Sequence, residues 1–600
     1  MRRLGTLALV AALGVALVPV GGTAATAASD EAVLRGYAEA TWRSFVAMTD
    51  ESTGLPTDAL GVDGTRAVQT STTNIGAYLW STVLADELGF ITHDEALERM
   101  ALTISTLETM ERHAPSGQYF NWYDHRTGEK LTVWPSSGEP LTPILSSVDN
   151  GWLATGLKVV AGAVPELAGR AGVLYDSMDF GVYYRPEVNR ILFHIAPSTG
   201  EEPCCYDTFV SESRIASYVG IAKGELPQRH YYGAWRTFPD SCDWAWQETK
   251  PLGRTEVYLG ESVFEGAYPY FGHRIVPGWG GSAFEALMPA LFVPEEVWGA
   301  GSWRINHPAT VFSQINHGMH VAQYGYWGFS PANIPEGGYS EYGVDWIGMN
   351  PEGYASNNDR TLVDPGFEGC PERDPQPVPQ PSAFTNGVVT PHAAFLGLRW
   401  QQREVLDNLA KLRADFDVYT DLGFRDSVNV DTGVVSDFYL SLDQGIIMAA
   451  VGNALTDDLL RRAFAGPDLW RRVRPPMAVE EFGARPRGCT ITGTRGDDVL
   501  RGTRGDDVIC ALGGDDVVTG RDGDDVVYGD GGDDELTGGP GHDVLYGDDG
   551  DDVLRGRRGA DVLAGGAGDD DERGGRGRDH AEGSAGDDTC VAETTSDCEA

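Results

Sequence analysis

An aspartate recurs every nine residues near the C-terminus, eleven times without a break. The series is Asp498, Asp507, Asp516, Asp525, Asp534, Asp543, Asp552, Asp561, Asp570, Asp579 and Asp588. A glycine stands two residues before each, from Gly496 to Gly586. Two residues after stand Leu500, Ile509, Val518, Val527, Leu536, Leu545, Leu554 and Leu563. The pattern is G-G-x-G-x-D-x-U-x, a nonapeptide that stacks as a parallel β-roll around calcium. Glycine permits the tight loops. The aspartates, with loop carbonyls, offer hard oxygen ligands suited to Ca²⁺, so Asp498 through Asp561 are the expected metal-ligating side chains. Without metal the stacked carboxylates repel, and the apolar U residues alone are too few to fold the segment. A disordered acidic tail would not keep an eleven-fold register. The pattern weakens at Glu572, Ala581 and Cys590, where U should be apolar. There the roll should fray or be capped, with a Cys590–Cys598 disulfide as the cap.

The chain has 45 basic against 89 acidic residues, a balance that argues against a nucleic-acid partner. Residues 489–600 hold 30 acidic against 10 basic residues, so a little under half of the acidic excess belongs to this one module. At the other end, Met1-Arg2-Arg3, the apolar run from Leu7 to Val20 and the A-x-A site Ala25-Thr26-Ala27 read as an export signal over residues 1–28. No later run of about 20 apolar residues follows, so the mature protein is expected to be secreted, without a membrane span. Eight cysteines fit that compartment. Cys489–Cys510 and Cys590–Cys598 are the expected pairs in the tail. A vicinal Cys204–Cys205 bond would be strained, so each is expected to bond Cys242 or Cys370 instead.

From residue 29 to about 470 the spacing predicts long helices. They start at Ser29-Asp30 and at Thr73 or Asn74, then cover 94–111, 149–163, 208–223, 281–291, 309–324, 391–398, 401–413 and 440–454. Only Gly181–Tyr184 and Ile191–Ile195 read as strands. Periodicity thus says mostly α. Residues 471–488 are Pro-rich and read as a linker, and 489–600 form the roll. Aromatics cluster between the helices, at Phe120, Trp122 and Tyr123; Trp244 and Trp246; Tyr268, Tyr270 and Phe271; Trp279; and Tyr324, Tyr326 and Trp327. Flat rings beside carboxylates suit a glycan partner.

Within 204–224, Asp207 stands where a helix N-cap should be and Gly224 where the helix should end. Ile215, Tyr218, Val219 and Ala222 form one apolar stripe, which puts Glu212 on its buried side. An inward carboxylate is costly unless it is paired or has a task. It either pairs with an arginine such as Arg214 or serves as a general acid.

The order YDTFVSESRIASYVGIAKGELPQRHYY, GWGGSAFEALMP, YGYWGFSPAN, VVTPHAAFLGL, FYLSLDQGIIMAAVGNAL resembles the glycoamylase-like domain shared by endo-β-1,2-glucanases and cyclic β-1,2-glucan synthases. The likeness begins upstream, at TSTTNIGAYLWSTVLADELGFIT, and runs to about Phe464. It implies an (α/α)6 toroid carrying glucan chemistry; the nonapeptides after it resemble an RTX, hemolysin-type calcium roll. Glu212 matches the family's helix glutamate and is the expected acid. Asp149, in a motif that lines the family's cleft, and Glu341, similar to a partner glutamate of the synthases, are the other expected catalytic carboxylates. The resemblance also implies sugar contacts by Trp122, Asp124, Asp207, Trp279, Trp327 and Asp443, with Asp124 and Asp443 equally readable as braces. This chain departs from the glucanases at Trp152 and Thr155, where they carry acids, and at Asn333, where an acidic residue ends the counterpart of WGFSPAN. The expected activity is a glycoside hydrolase or transglycosylase on a glucan, β-1,2-glucan first. The alternative is a glycan-binding protein that has lost catalysis. The tail would stabilise the enzyme or attach it to a cell surface or matrix.

Overall fold

The structure is a computed structural model. It describes residues 29–238, 250–349, 380–384, 387–483 and 489–577, then 579–585, 588–592, 594–596 and 598. The expected export signal, Trp244, Trp246, Cys242 and Cys370 lie outside the described residues.

The helices of the main domain are α1 (Asp30–Met48), α2 (Thr72–Glu87), α3 (His93–Thr109), α4 (Ser147–Ala163), α5 (Ala168–Ser177), α6 (Arg214–Lys223) and α7 (Ala283–Leu287). They continue with α8 (Glu295–Trp298), α9 (Trp303–Asn316), α10 (Pro391–Leu396), α11 (Gln402–Asp415), α12 (Ser441–Leu455), α13 (Leu459–Phe464), α14 (Pro467–Arg472) and α15 (Arg474–Ala478). An inner ring passes from α2 to α4, α6, α7, α10, α12 and back to α2. Each inner helix has an outer partner: α3 on α2, α5 on α4, α14 on α6, α9 on α7, α11 on α10 and α1 on α12. This is the (α/α)6 toroid.

Glycine lets the inner helices close up. A Cβ on Gly156 of α4 would lie 2.7 Å from the Cα of Gly76 of α2. Beneath the ring's mouth, Trp80, Trp152 and Phe292 pack edge to face, with centroids 4.9–6.1 Å apart. Trp80 Nε1 donates to the Gly445 carbonyl at 3.0 Å and ties α2 to α12.

Four inner helices are entered directly from short strands: 69–71, 145–146, 388–389 and 438–440. Each strand pairs with a strand from elsewhere in the chain, for example 69–71 with 122–124. All these entries lie at one end of the ring, so the helix N-termini and their positive dipole ends converge there.

Several expected elements are corrected. The helix expected over 208–223 begins only at Arg214, because Thr208 and Val210 are extended and bridge Trp235 and Gly278. Asp207 is therefore not a helix cap. Gly224 does end the helix, at φ 78°. Gly181–Tyr184 is mainly a 3₁₀ turn, Phe180–Tyr183. The helix expected from 309 starts at Trp303, since Pro308 is carried inside it. An antiparallel sheet of Leu252–Tyr258, Glu261–Tyr270 and His273–Ile275 was not foreseen. Its strands are half-buried and polar, so they lack the plain alternation that marks a strand. The stretch expected as linker packs on the toroid as far as Phe482, and Glu480 is buried in an ion pair with Arg236. Cys204 and Cys205 are bonded to each other, against expectation, across a cis peptide.

The tail is a parallel solenoid of two sheets. Each strand pairs with the one eighteen residues on, as Val527 with Leu545, so one turn holds two nonapeptides. Ile509, Val518, Val527, Leu536, Leu545, Leu554, Leu563 and Ala581 are fully buried along its axis. Strands continue to Ser596, so the roll does not fray at Glu572. Instead Cys590–Cys598 closes its end, as Cys489–Cys510 closes its start. The roll meets the toroid where His580 lies 4.8 Å from the Phe312 ring.

Candidate active site

Three inner helices begin with a serine cap that accepts from the backbone three residues on: Ser71 from Asn74, Ser146 from Asp149 and Ser282 from Glu285. Asp443 holds the same third position in α12, and His392 the second in α10. Helix starts thus bring polar side chains to the mouth of the ring, three of them through a serine cap. A cap explains Asp149 locally, and the ring makes it part of a site.

Glu212 sits in the turn just before α6. Trp152 Nε1 donates to its Oε2 at 2.5 Å, and its own backbone N–H donates to Glu285 Oε2 at 2.8 Å. Ser211 Oγ also donates to Glu285, at 2.8 Å. Loss of water, then the Glu285 charge and that of Asp149, push the Glu212 pKa well above the usual carboxylate range. Glu285 is also raised, by burial.

Arg214 is not the partner of Glu212. Its five N–H donors go to Glu295, Ser211 O, Glu285 O and Ala286 O, at 2.6–3.0 Å. Glu295 also accepts from Tyr218 at 2.7 Å and contacts His307 at 3.0 Å. This buried cluster fixes the Ser211–Glu212 turn against α7. Burial opposes the charge on Glu295, but Arg214 and His307 prevail and hold its pKa at about 2. A depressed folded pKa gives stability that is present above the ordinary value and lost as pH falls through about 2. Glu295→Ala strands Arg214 as a buried unpaired charge and is expected to cost about 3 kcal/mol in denaturant unfolding. A loss below about 1 kcal/mol, the scale of an exposed pair, would mean that the cluster does not anchor the turn.

Asp149 accepts from Thr73 Oγ1 at 2.6 Å. With its amide turned to suit both neighbours, Asn121 donates to the other Asp149 oxygen at 2.7 Å and accepts from Trp122 Nε1 at 3.0 Å. Burial raises the Asp149 pKa. Asp58, missed in the sequence, accepts from Asn74 at 2.8 Å and is raised by burial and by Asp149.

Across the mouth, Asp426 and Asp443 face each other beside His392, all three buried. Two buried carboxylates at contact cannot both ionise. Burial and then Asp443 push Asp426 well above its usual range, and burial brings Asp443 to about 7. His392 is held down at about 4 by burial. Its Nε2 meets Ser330 Oγ at 3.0 Å, leaving Nδ1 3.4 Å from Asp443. One ligand atom from each of the three lies within 4.8 Å of the others, so they could share a proton or hold a cation. His392 lies in the VVTPHAAFLGL motif of the resemblance, whereas Asp426 lies in none of its motifs.

Tyr339 joins the two halves. It is exposed overall, yet loss of water and the charges of Glu341, Asp426, Asp443 and Glu212 push its pKa well above the usual value. Glu341 stands two residues beyond Tyr339, whose hydroxyl feels the charges of Glu212, Asp426 and Asp443. Glu336 instead accepts from Asn429 and Thr432, at 3.1 and 2.8 Å. Asn333 contributes its backbone N–H to Asp426, at 2.7 Å.

The expected sugar contacts divide. Trp122 and Trp279 are half-buried at the rim: Trp122 packs on Trp134 at 5.5 Å, and the backbone of Trp279 donates to Val210 O, two residues from Glu212. Asp124 is taken up by Arg126, at 2.6 and 2.9 Å, and Asp207 pairs with Arg190. Trp327 is corrected: it is 3% exposed within the main core, bracketed by backbone bonds to Asn408, and cannot stack on a sugar. Trp327→Ala is expected to cost about 3 kcal/mol of stability, whereas Trp279→Ala weakens glycan affinity with little change in melting temperature. Equal melting losses in the two would place Trp279 in the core as well.

A cavity of about 280 Å³ lies at the opposite end of the ring, where Arg399 and Arg461 are already tied to Asp458 and Glu296. It holds none of this carboxylate set.

In the roll, Asp516, Asp525, Asp534, Asp543, Asp552, Asp561 and Asp570 each offer an Oδ2 with no hydrogen-bond partner, though each residue is at most 2% exposed. Such a stack of unmet hard oxygens fits Ca²⁺.

Residues 254–466 match the Glycoamylase family model, described as "Putative glucoamylase". Residues 36–180 match a family of unknown function, DUF3131, and four stretches between 490 and 597 match the RTX calcium-binding nonapeptide repeat. The chain is 24% identical to the cyclic beta-(1,2)-glucan synthase NdvB of Rhizobium meliloti (strain 1021), over 73% of this chain and 18% of that protein. It thus spans less than a fifth of that relative. Its fold is that of the endo-beta-1,2-glucanase of Chitinophaga pinensis, with TM-score 0.53 and 18% identity over 75% of this chain and 98% of that one. The beta-1,2-glucanase of Parabacteroides distasonis gives TM-score 0.55 and 16% identity, over 75% and 60%. The protein therefore carries a glycoamylase-like (α/α) toroid domain, similar in sequence to part of NdvB and sharing its fold with endo-β-1,2-glucanases. RTX calcium-binding repeats follow it at the C-terminus.

Proposed function

We propose that this protein is a secreted glycoside hydrolase or transglycosylase that cleaves glucan-type bonds, with β-1,2-glucan its first candidate substrate. The observation that carries this reading is the setting of Glu212. Its carboxyl is held by the Trp152 indole in a water-poor turn, near two other acids and without an arginine partner. Such a group holds its proton to higher pH than an ordinary carboxylic acid and can give it to a glycosidic oxygen as the C–O bond breaks. Glu341, two residues beyond Tyr339, serves as the carboxylate that attacks the anomeric carbon or deprotonates the attacking water. Asp149 has both oxygens engaged by Thr73 and Asn121, which suits orienting sugar hydroxyls better than attack. Trp122 and Trp279 offer ring faces at the rim, and the Asp426–Asp443 pair offers acceptors for hydroxyls deeper in. The calcium roll stabilises the secreted enzyme or attaches it to a surface.

The test is incubation of the purified, calcium-loaded protein with a panel of glucans and arabinans, with products resolved by mass. Shorter or cyclised products from β-1,2-glucan support the reading. Retained binding with no product from any member favours a glycan-binding protein instead.

A further inference from the structure

The first two repeats of the roll are built differently from the rest. At the second position of the nonapeptide they carry Thr494 and Thr503. The following repeats carry Leu512, Arg521, Asp530, Gly539, Asp548, Arg557, Gly566 and Gly575 there, all with φ between 73° and 144°. The two threonines are not among the residues with positive φ. A β-branched side chain resists that region, so the loop turns another way.

The turn changes what the aspartate meets. The N–H and hydroxyl of Thr494 both donate to Asp498 Oδ2, at 2.5 and 2.9 Å. Those of Thr503 both donate to Asp507 Oδ2, at 2.5 and 2.8 Å, and the Thr490 hydroxyl reaches Asp507 Oδ1 at 3.1 Å. From Asp516 to Asp570 the pattern switches. There Oδ1 accepts the backbone N–H of the aspartate eighteen residues earlier, and Oδ2 is left unmet. A buried carboxylate oxygen without a partner is costly, and in those repeats a cation supplies the partner.

We propose that the calcium array begins at Asp516. Thr494 and Thr503 stand in for the metal at Asp498 and Asp507. Segment 490–510 is then a calcium-independent first turn, closed by Cys489–Cys510, on which the calcium-dependent turns stack. On this proposal Asp498 and Asp507 are not metal ligands.

Hydrogen exchange on the full chain, with calcium and with chelator, tests this. Peptides within 490–510 should stay protected in both, and peptides between 526 and 567 should lose protection in chelator. Loss of protection in 490–510 together with the rest overturns the proposal. The variant T494G/T503G keeps the disulfide, which separates its effect from that of the threonines. In chelator the variant should lose protection in 490–510. In equilibrium dialysis it should bind more calcium than wild type, by about one ion for each repeat restored. Unchanged protection and unchanged stoichiometry in the variant would also overturn it.

Discussion

Glu212→Gln lowers turnover by about 10²–10⁴-fold while the protein stays folded. The amide still accepts from the Trp152 indole, so the buried donor keeps its partner. It also removes a carboxyl that burial and Glu285 already disfavour as a charge. The fold therefore loses nothing comparable to the catalytic loss. What disappears is the proton needed by a poor sugar leaving group. An aryl glycoside whose leaving group departs unprotonated should recover most of the rate. Turnover of the variant near wild type on the natural glucan would remove Glu212 from the mechanism.

Chelation unfolds the roll beyond its first turn and leaves the toroid folded. The roll's core is one narrow column of U residues, and each turn adds carboxylates whose Oδ2 atoms are unmet. The toroid has its own large core. In metal-free protein the β signal should fall and hydrodynamic size rise, with helical signal and turnover retained. The pH dependence has a defined sign. Burial, and then neighbouring aspartates, raise Asp525 to about 6 and Asp534 and Asp552 to about 7. A raised folded pKa means the folded roll holds more protons, so its metal-free stability falls as pH rises from about 4 to about 7. Without calcium the roll should persist in mild acid and melt toward neutrality. Parallel circular dichroism and turnover during a calcium titration check this. Turnover lost in step with the β signal would mean that the contact at His580 and Phe312 couples the modules.

The repeats were legible because one residue type at one spacing dictates the roll, down to its buried U positions. The toroid was legible as helices, but its closure into a ring came only through resemblance, since helix–helix order leaves no periodic mark. The site was half legible. Glu212 stood out as an acid on an apolar stripe, yet its true place is a turn, because bridges to Trp235 and Gly278 hold the preceding residues extended. Trp327 misled because a tryptophan in a loop motif reads alike whether it lines a cleft or fills a core. Asp58, Asp426 and His392 carried no local signal. They become a site only when the ring brings distant helix starts together. Trp152, read as a departure from the glucanases, proves to be the donor that holds Glu212.

The most direct test of the account is the pH dependence of kcat/KM for wild type and Glu212→Gln on the same natural glucan, whose leaving group needs the proton. The account predicts that wild-type activity falls on the alkaline side at a pH above the usual carboxylate range of about 4–5, as Glu212 loses its proton. It predicts that this limb is absent in the variant. The same alkaline limb in both proteins would contradict it, because the titrating group would then lie elsewhere.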